Sequence, residues 1–342
     1  MSAPRPSYEH VALRGFASVR GHEGPKEFLS HALQSNRLAT SLLFEGAEGI
    51  GKERLALALA QRAMCASAAQ GVDACGECLS CRWVRDAQHP DLLILAKDVD
   101  IRSQSMQSES DAKSQITIEK VRELQSERLV YFPQGQSRWV LIRDAHEMNA
   151  NAANSLLKTL EEPPVATYFV LLTHRPSELL ITVRSRCQRV RFAPLSDDDL
   201  SSVLEARGVE AALRSEIVAL SEGSVSNAVA LAKPDVLASR QAWRERFLSA
   251  LRGGRPGGIV DIAESFAKFS QDQDDELEAV LTLLEKYFRD EAIAHATDAR
   301  RATTNAVRAQ IVRSTRATVD YTNLKAQSAL EELLVRLRDA RS

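Results

Sequence analysis

Four short apolar runs, residues 41–44, 92–95, 139–142 and 168–173, alternate with segments of helical periodicity through the first half of this chain. Runs so short and so evenly apolar suit strands covered on both faces, and strands that alternate with helices build a parallel sheet flanked by helices. Between the last two runs, residues 151–162 carry Ala153, Leu156, Leu157 and Leu160 at helical spacing and stop at Pro163-Pro164, which predicts an amphipathic helix. The sheet pattern ends at Phe192-Ala-Pro194-Leu, and from Ser196 onward every apolar periodicity is helical, including 277–288 and 324–337. A second break falls at Lys233-Pro234, and Gly253-Gly-Arg-Pro-Gly-Gly258 marks a loop beyond it. Three domains are expected: 1–194 with the α/β sheet, a small helical unit over 195–234, and an all-α unit over 235–342. The polar, Ser- and Gln-rich stretch 97–115 reads as a flexible surface insertion, and the acidic run 272–278 as a solvated loop and helix start.

With 342 residues, 44 % apolar and 26 % charged, the chain has material for two or three buried cores. No run approaches the ~18 to 20 apolar residues of a membrane span, and the opening MSAPRPSYEH lacks the apolar stretch of a signal peptide. A cytoplasmic protein with no membrane partner is expected. A net charge of −2 argues against a whole-molecule nucleic-acid binder, so contact with DNA has to be local or shared, although Arg184, Arg186, Arg189 and Arg191 cluster.

Gly46-Ala-Glu-Gly49-Ile-Gly51-Lys52-Glu53 follows one expected strand and opens an expected helix. In that context a GxxxxGK loop cradles phosphates: glycines let backbone N–H groups converge, the helix N-terminus adds positive potential, and Lys52 reaches the outer phosphates. The competing reading is an ordinary glycine-rich turn. Position eight, where Ser or Thr would hold Mg²⁺, is Glu53. Like unit charges ~4 Å apart repel by ~4 kcal/mol at an effective dielectric near 20, unless the carboxylate ligates the metal instead. Asp144, just past the third run, stands where P-loop proteins place a carboxylate that helps hold Mg²⁺, or is simply a solvated strand-end residue. Beside it, where hydrolysing proteins of this class carry Glu, is Ala145.

Cys65, Cys75, Cys78 and Cys81 fall within 17 residues, enough thiolates for one tetrahedral Zn²⁺ at Zn–S distances of ~2.3 Å. An iron–sulfur run would continue to a fourth cysteine followed by proline, where this chain has Arg82-Trp83-Val84-Arg85; unliganded thiols are the other alternative. Four cysteines leave no open position, so the site is read as structural.

Taken together, Asp144-Ala-His-Glu-Met-Asn149, Ala153-Asn-Ser-Leu-Leu-Lys158-Thr-Leu-Glu-Glu-Pro-Pro164 and Ser185-Arg186-Cys187 resemble the delta-prime branch of the bacterial DNA polymerase III clamp-loader family. Phe16-Ala-Ser-Val-Arg-Gly21-His-Glu, 33–38 and the cysteine cluster fit the same family, and the likeness covers about residues 15–230. It implies a RecA-like AAA+ domain with a zinc module, a helical lid and a helical collar. It also implies a hetero-pentamer with gamma/tau motor subunits and a delta subunit that acts on a sliding clamp and primer-template DNA. Arg186 would then be an arginine finger offered in trans to a neighbour's ATP; the alternative makes the four arginines a solvated or DNA-facing stripe. The lid segment Gly223-Ser-Val-Ser226 has Ser226 where the motor subunit resembles Gly-Ser-x-Arg, and Thr173 is either a phosphate sensor or an ordinary strand-terminal Thr. Glu53, Ala145 and Ser226 favour a subunit that binds ATP or ADP, if at all, without hydrolysing it. Lys52 and Asp144 keep open a gamma/tau-like ATPase.

Overall fold

The computed structural model describes residues 13–67, 73–107, 115–233, 236–237, 241–242, 245–249, 273–322 and 326–340. The chain divides into two compact units, residues 1–229 and 230–342.

In the first unit five parallel strands, β1 Ser41–Glu45, β2 Leu92–Leu95, β3 Arg138–Ile142, β4 Thr167–Thr173 and β5 Gln188–Arg191, form one sheet in the order β2-β3-β4-β1-β5. Four of them lie within a residue of the apolar runs, because strands buried on both faces leave an unbroken apolar signature. β5 leaves none: it is an edge strand in which Val190 alone is buried. The ladder Leu43↔Leu171, Val140↔Phe169 and Leu93↔Val140 aligns the strands so that the segments after β1, β3 and β4 emerge at the same edge.

The flanking helices are α1 Glu23–Gln34, α2 Lys52–Met64, α3 Leu79–Arg85, α4 Ile118–Glu123, α5 Ala150–Glu161 and α6 Ile181–Arg184. α2 begins at the glycine loop and buries Leu55, Ala56, Ala58, Leu59 and Ala60 completely. α5 is the expected helix; Asn149 caps it by accepting the Ala152 N–H at 2.8 Å, and Leu156 and Leu160 join the core beneath β3 and β4. After the sheet come α7 Asp197–Ala206, α8 Ala211–Ser221 and α9 Val225–Leu231, the last running into the second unit. Ser196 caps α7 through the Asp199 N–H.

The flexible-insertion reading fails over residues 97–107. Val99 and Ile101 are buried, and the buried Lys120 amine donates to the carbonyls of Ala96, Lys97 and Val99 and to Gln107. A polar sequence here hides a turn tied down by one long-range cation, which composition cannot reveal. Residues 108–114 lie outside the described residues.

In the second unit α10 Gln273–Ala294, α11 Ala299–Thr322 and α12 Ala326–Asp339 bury Leu281, Leu284, Phe288, Val312, Leu330, Leu333 and Leu337 in one core with Phe247. At ~1.5–3 kcal/mol per fully buried large apolar side chain, this core is what holds the helices together. Glu285, nearly buried, accepts from Arg313 at 2.7 Å and faces Arg316 at 3.5 Å. The expected loop at 253–258 and the side chains of the acidic run lie outside the described residues.

Candidate functional site

The glycine loop leaves β1 and enters α2 through residues that only glycine accommodates well. Gly49 has φ 68° and Gly51, the N-cap of α2, φ 101°. A Cβ on Gly49 would lie 2.5 Å from Ser224 Oγ and 2.6 Å from Ser226 Cβ, and the Ser226 N–H donates to the Gly49 carbonyl at 3.1 Å. The start of α9 therefore sits directly on the loop, and Ser226 acts there through its backbone. Lys52 is buried; its amine donates to the carbonyls of Gly46 at 2.8 Å and Ala47 at 2.5 Å. Burial lowers its pKa to about 8, against the opposing pull of Asp144 and Glu48.

A cleft of about 540 Å³ opens over this loop, a size suited to a nucleotide-like ligand. Gly49, Gly51, Lys52, Glu53 and Asp144 line it together with Val19, Ile50, Leu172 and Val203 on its apolar side. Gly46 lies at the base of the loop, its N–H donating to the Thr173 carbonyl at 3.3 Å. Glu53 is drawn aside: its carboxylate lies 3.6 Å from Arg143 Nε, and Arg143 also faces Asp98 at 3.6 Å. The charge fault inferred from Glu53 is thus partly neutralised by a residue next to Asp144.

Asp144 occupies the left-handed region (φ 44°, ψ 54°) after β3 and starts a short 3-10 turn over Ala145–Glu147, with Ala145 fully buried. Burial raises its pKa, but His174, His146 and Arg143 outweigh that and hold it below the usual carboxylate value. Thr173, fully buried at the end of β4, exchanges a hydrogen bond with His146 Nδ1 at 3.1 Å and accepts from the Arg175 N–H at 3.1 Å. Burial lowers the His146 pKa to about 4, aided by His174. His146 and His174 were not among the expected site residues; one follows β3 and the other β4, and they meet only because those strands are neighbours.

The four cysteines converge as expected. Cys65 Sγ lies 3.6 Å from Cys75 Sγ and 4.0 Å from Cys78 Sγ, and Cys75 Sγ lies 3.9 Å from Cys81 Sγ. Ligands ~2.3 Å from a tetrahedral ion stand ~3.8 Å apart, so this spacing fits a single metal ion. Backbone N–H groups of Cys75, Cys78 and Cys81 point at the sulfurs of Cys65, Cys75 and Cys78, and no disulfide forms. Hydrogen bonds from the Cys78 and Glu77 backbone lower the Cys75 pKa to about 6, which favours the ligating thiolate.

The arginine cluster divides in two. Arg189 and Arg191 fork onto the buried Glu45, Arg189 Nη2 at 2.8 Å and Arg191 Nε at 2.9 Å, so those two are spoken for internally. Arg186 lies away from the cleft lining, half-buried, donating to Glu161 Oε1 at 2.6 Å and to the Thr182 carbonyl at 2.9 Å.

The family model described as "DNA polymerase III, delta subunit" matches residues 21–196, just over half of the chain. The chain belongs to that family. Among curated relatives it is 29 % identical over 248 residues to DNA polymerase III subunit delta' of Bacillus subtilis (strain 168), covering 72 % of this chain and 70 % of the relative. It is 40 % identical over 147 residues to the Yersinia pestis subunit delta' (43 % and 39 %) and 30 % identical over 247 residues to Escherichia coli (strain K12) subunit tau (70 % and 36 %). The chain thus spans well under half the length of the last two. The family segment contains the whole sheet, the glycine loop, the four cysteines, Asp144, Thr173 and Arg186, whereas Ser226 and the second unit lie beyond it. No described helix is long and apolar enough to cross a membrane.

Proposed function

We propose that this chain works as a delta-prime subunit in a DNA polymerase III clamp loader, where it completes the ATP site of a neighbouring gamma/tau motor subunit with Arg186. The observation that carries this reading is the placement of Arg186. It stands outside its own chain's cleft on a surface turn, held by Glu161 from the Leu-Glu-Glu-Pro-Pro motif and by the Thr182 carbonyl, contacts it can exchange for a phosphate bound elsewhere. A guanidinium brought to a transferring phosphoryl group neutralises charge developing in the transition state, an effect of ~10³ to 10⁵ in rate.

The chain's own cleft takes ATP or ADP without turning it over. Lys52 can exchange the carbonyls of Gly46 and Ala47 for phosphate oxygens, but Ala145 offers no carboxylate to polarise water and Ser226 no sensing arginine. The thiolates of Cys65, Cys75, Cys78 and Cys81 hold structural Zn²⁺, for which the sulfur spacing and all-cysteine donor set are suited. In this reading residues 1–194 are the AAA+ domain, 195–234 the lid and 235–342 the collar that joins the motor and delta subunits in a cytoplasmic hetero-pentamer. That assembly acts on the sliding clamp and primer-template DNA.

The test is DNA- and clamp-stimulated ATP hydrolysis by motor subunits reconstituted with this chain, wild type against Arg186→Ala, with the chain alone as a third arm. The proposal expects a silent chain alone and a steep loss in the variant assembly. Full turnover by the chain alone with no effect of Arg186→Ala would make it a motor instead.

A further inference from the structure

We propose that Asp144, His146 and His174 form a second metal site, one that takes a borderline divalent cation of the Zn²⁺, Co²⁺ or Ni²⁺ class at the mouth of the glycine loop. One ligand atom from each of the three lies within 4.8 Å of the other two. His174 Nδ1 is 3.5 Å from Asp144 Oδ1, and the two imidazole rings meet edge to face with centroids 4.3 Å apart. The convergence is built into the sheet: Asp144 and His146 follow β3, His174 follows β4, and the two strands pair in parallel through Ile142↔Leu171.

Three features favour a cation over a plain His174–Asp144 ion pair. First, the His146 ring is fixed from outside the cluster by the Thr173 hydroxyl on Nδ1, and that hydroxyl is itself held by the Arg175 N–H. Ligating histidines are oriented by an outer-shell partner on one ring nitrogen in this way. Second, the surrounding cations are already engaged: Arg143 with Glu53 and Asp98, Lys97 with Glu147, Arg175 with Glu178, and Lys52 with the loop carbonyls. At short range Asp144 is paired with His174, at 3.5 Å, while Arg143 and Lys52 act on it through space. Third, two imidazoles and one carboxylate make a donor set that suits Zn²⁺, Co²⁺ or Ni²⁺ and is poorly matched to Mg²⁺, which demands oxygen ligands. Three protein ligands leave a coordination position open. Asp144 and His174 line the cleft, so the open position faces the loop, where a phosphate oxygen can fill it. Glu48 Oε2 stands 3.9 Å from His174 Nε2, the ring nitrogen turned away from Asp144, where it can orient the ring as an outer-shell partner.

This inference is independent of the role given to Arg186, and its test needs neither nucleotide nor partner subunits. Full-length chain whose cysteine cluster already holds zinc is titrated with Co²⁺, following heat of binding and visible absorption. The expected result is one further equivalent of Co²⁺ with ligand-field bands and no thiolate charge-transfer band, undisturbed by a large excess of Mg²⁺. Affinity should fall about tenfold or more in His174→Ala, in the bulkier His174→Gln and in His146→Ala. His31→Ala, on the exposed face of α1, should bind as wild type. Absence of a further equivalent, equal affinity in correctly folded His174→Gln, or displacement by Mg²⁺ would each overturn the site.

Discussion

Arg186 and Glu161 are bound to one another: the guanidinium donates to Glu161 Oε1 at 2.6 Å, tying the last residue of α5 to the turn after α6. The pair is partly solvated, and such pairs contribute ~0–1 kcal/mol, so neither partner is needed for folding. Arg186→Ala should therefore shift the thermal midpoint by no more than a few degrees while lowering ATP turnover in the reconstituted assembly by ~10³ or more. Glu161→Gln keeps the guanidinium and removes only its tether; turnover should change far less than in Arg186→Ala. Equal losses in the two variants would mean that the pair, and not the arginine alone, is what the assembly uses.

Metal at the cysteine cluster should be part of the fold. Cys65, Ala74 and Cys81 form a small core of their own, and Cys78 Sγ caps α3 by accepting the Cys81 N–H at 3.5 Å. A core that small cannot order the loop by burial, whereas thiolate–zinc binding is worth ~10 kcal/mol or more. Purified protein should contain one zinc at this cluster, and Cys78→Ser or a strong chelator should remove it. Amide hydrogens of α3 should then exchange much faster, and the melting temperature should drop. Unchanged α3 protection after metal loss would show that the thiols pack without it.

Glu45 gives a pH signature. Burial raises its pKa, but hydrogen bonds from Arg189 and Arg191 outweigh that and place it below the ordinary carboxylate value. A depressed folded-state pKa contributes stability that is present above the unfolded value, near pH 4 to 5, and is lost as pH falls through the folded value. Hydrogen bonds to charged groups contribute ~1.5–3 kcal/mol, so Glu45→Gln should destabilise the first unit by about that much at pH 7. The gap between wild type and variant should close below about pH 4 in urea melts. A gap that stays constant with pH would mean that packing, not charge, is what the variant loses.

Features written in local sequence were legible, and features made by strand neighbours were not. β1 to β4 announce themselves because each is buried on both faces, while β5 does not, since Arg189 and Arg191 alternate with its one buried side chain. The cysteine cluster is readable because all its ligands fall in one short segment. The partners of Arg189 and Arg191 are not, because Glu45 lies 144 and 146 residues away and reaches them only through the β1–β5 pairing. The same holds for His146 and His174, and for Arg143, which answers the charge of Glu53 from the neighbourhood of Asp144. The Ser226 backbone N–H on the Gly49 carbonyl shows that the start of α9 contacts the loop without an arginine side chain.

Lys52 should make the glycine loop less stable than it could be. Its amine is pushed down to about 8 from 10.5, chiefly by burial, with Asp144 and Glu48 only partly offsetting the effect. Because the unfolded chain binds this proton more tightly, the group's contribution makes stability rise from about pH 8 to about 10.5 and stay flat below that window. The charged form at neutral pH costs at most ~3 kcal/mol, against which stand two hydrogen bonds to the Gly46 and Ala47 carbonyls of ~1 kcal/mol each. Lys52→Met removes both, so the variant should be as stable as wild type or slightly more so at pH 7, and less stable than wild type at pH 10, where the neutral amine still donates. Added ADP should raise the melting temperature of wild type and raise that of Lys52→Met less, since the backbone N–H groups of the loop remain but the amine that reaches the outer phosphates is gone. Denaturant midpoints at the two pH values, with and without ADP, test all three statements; a variant that is less stable at pH 7 by several kcal/mol would mean that the amine's bonds, not its charge, dominate the loop.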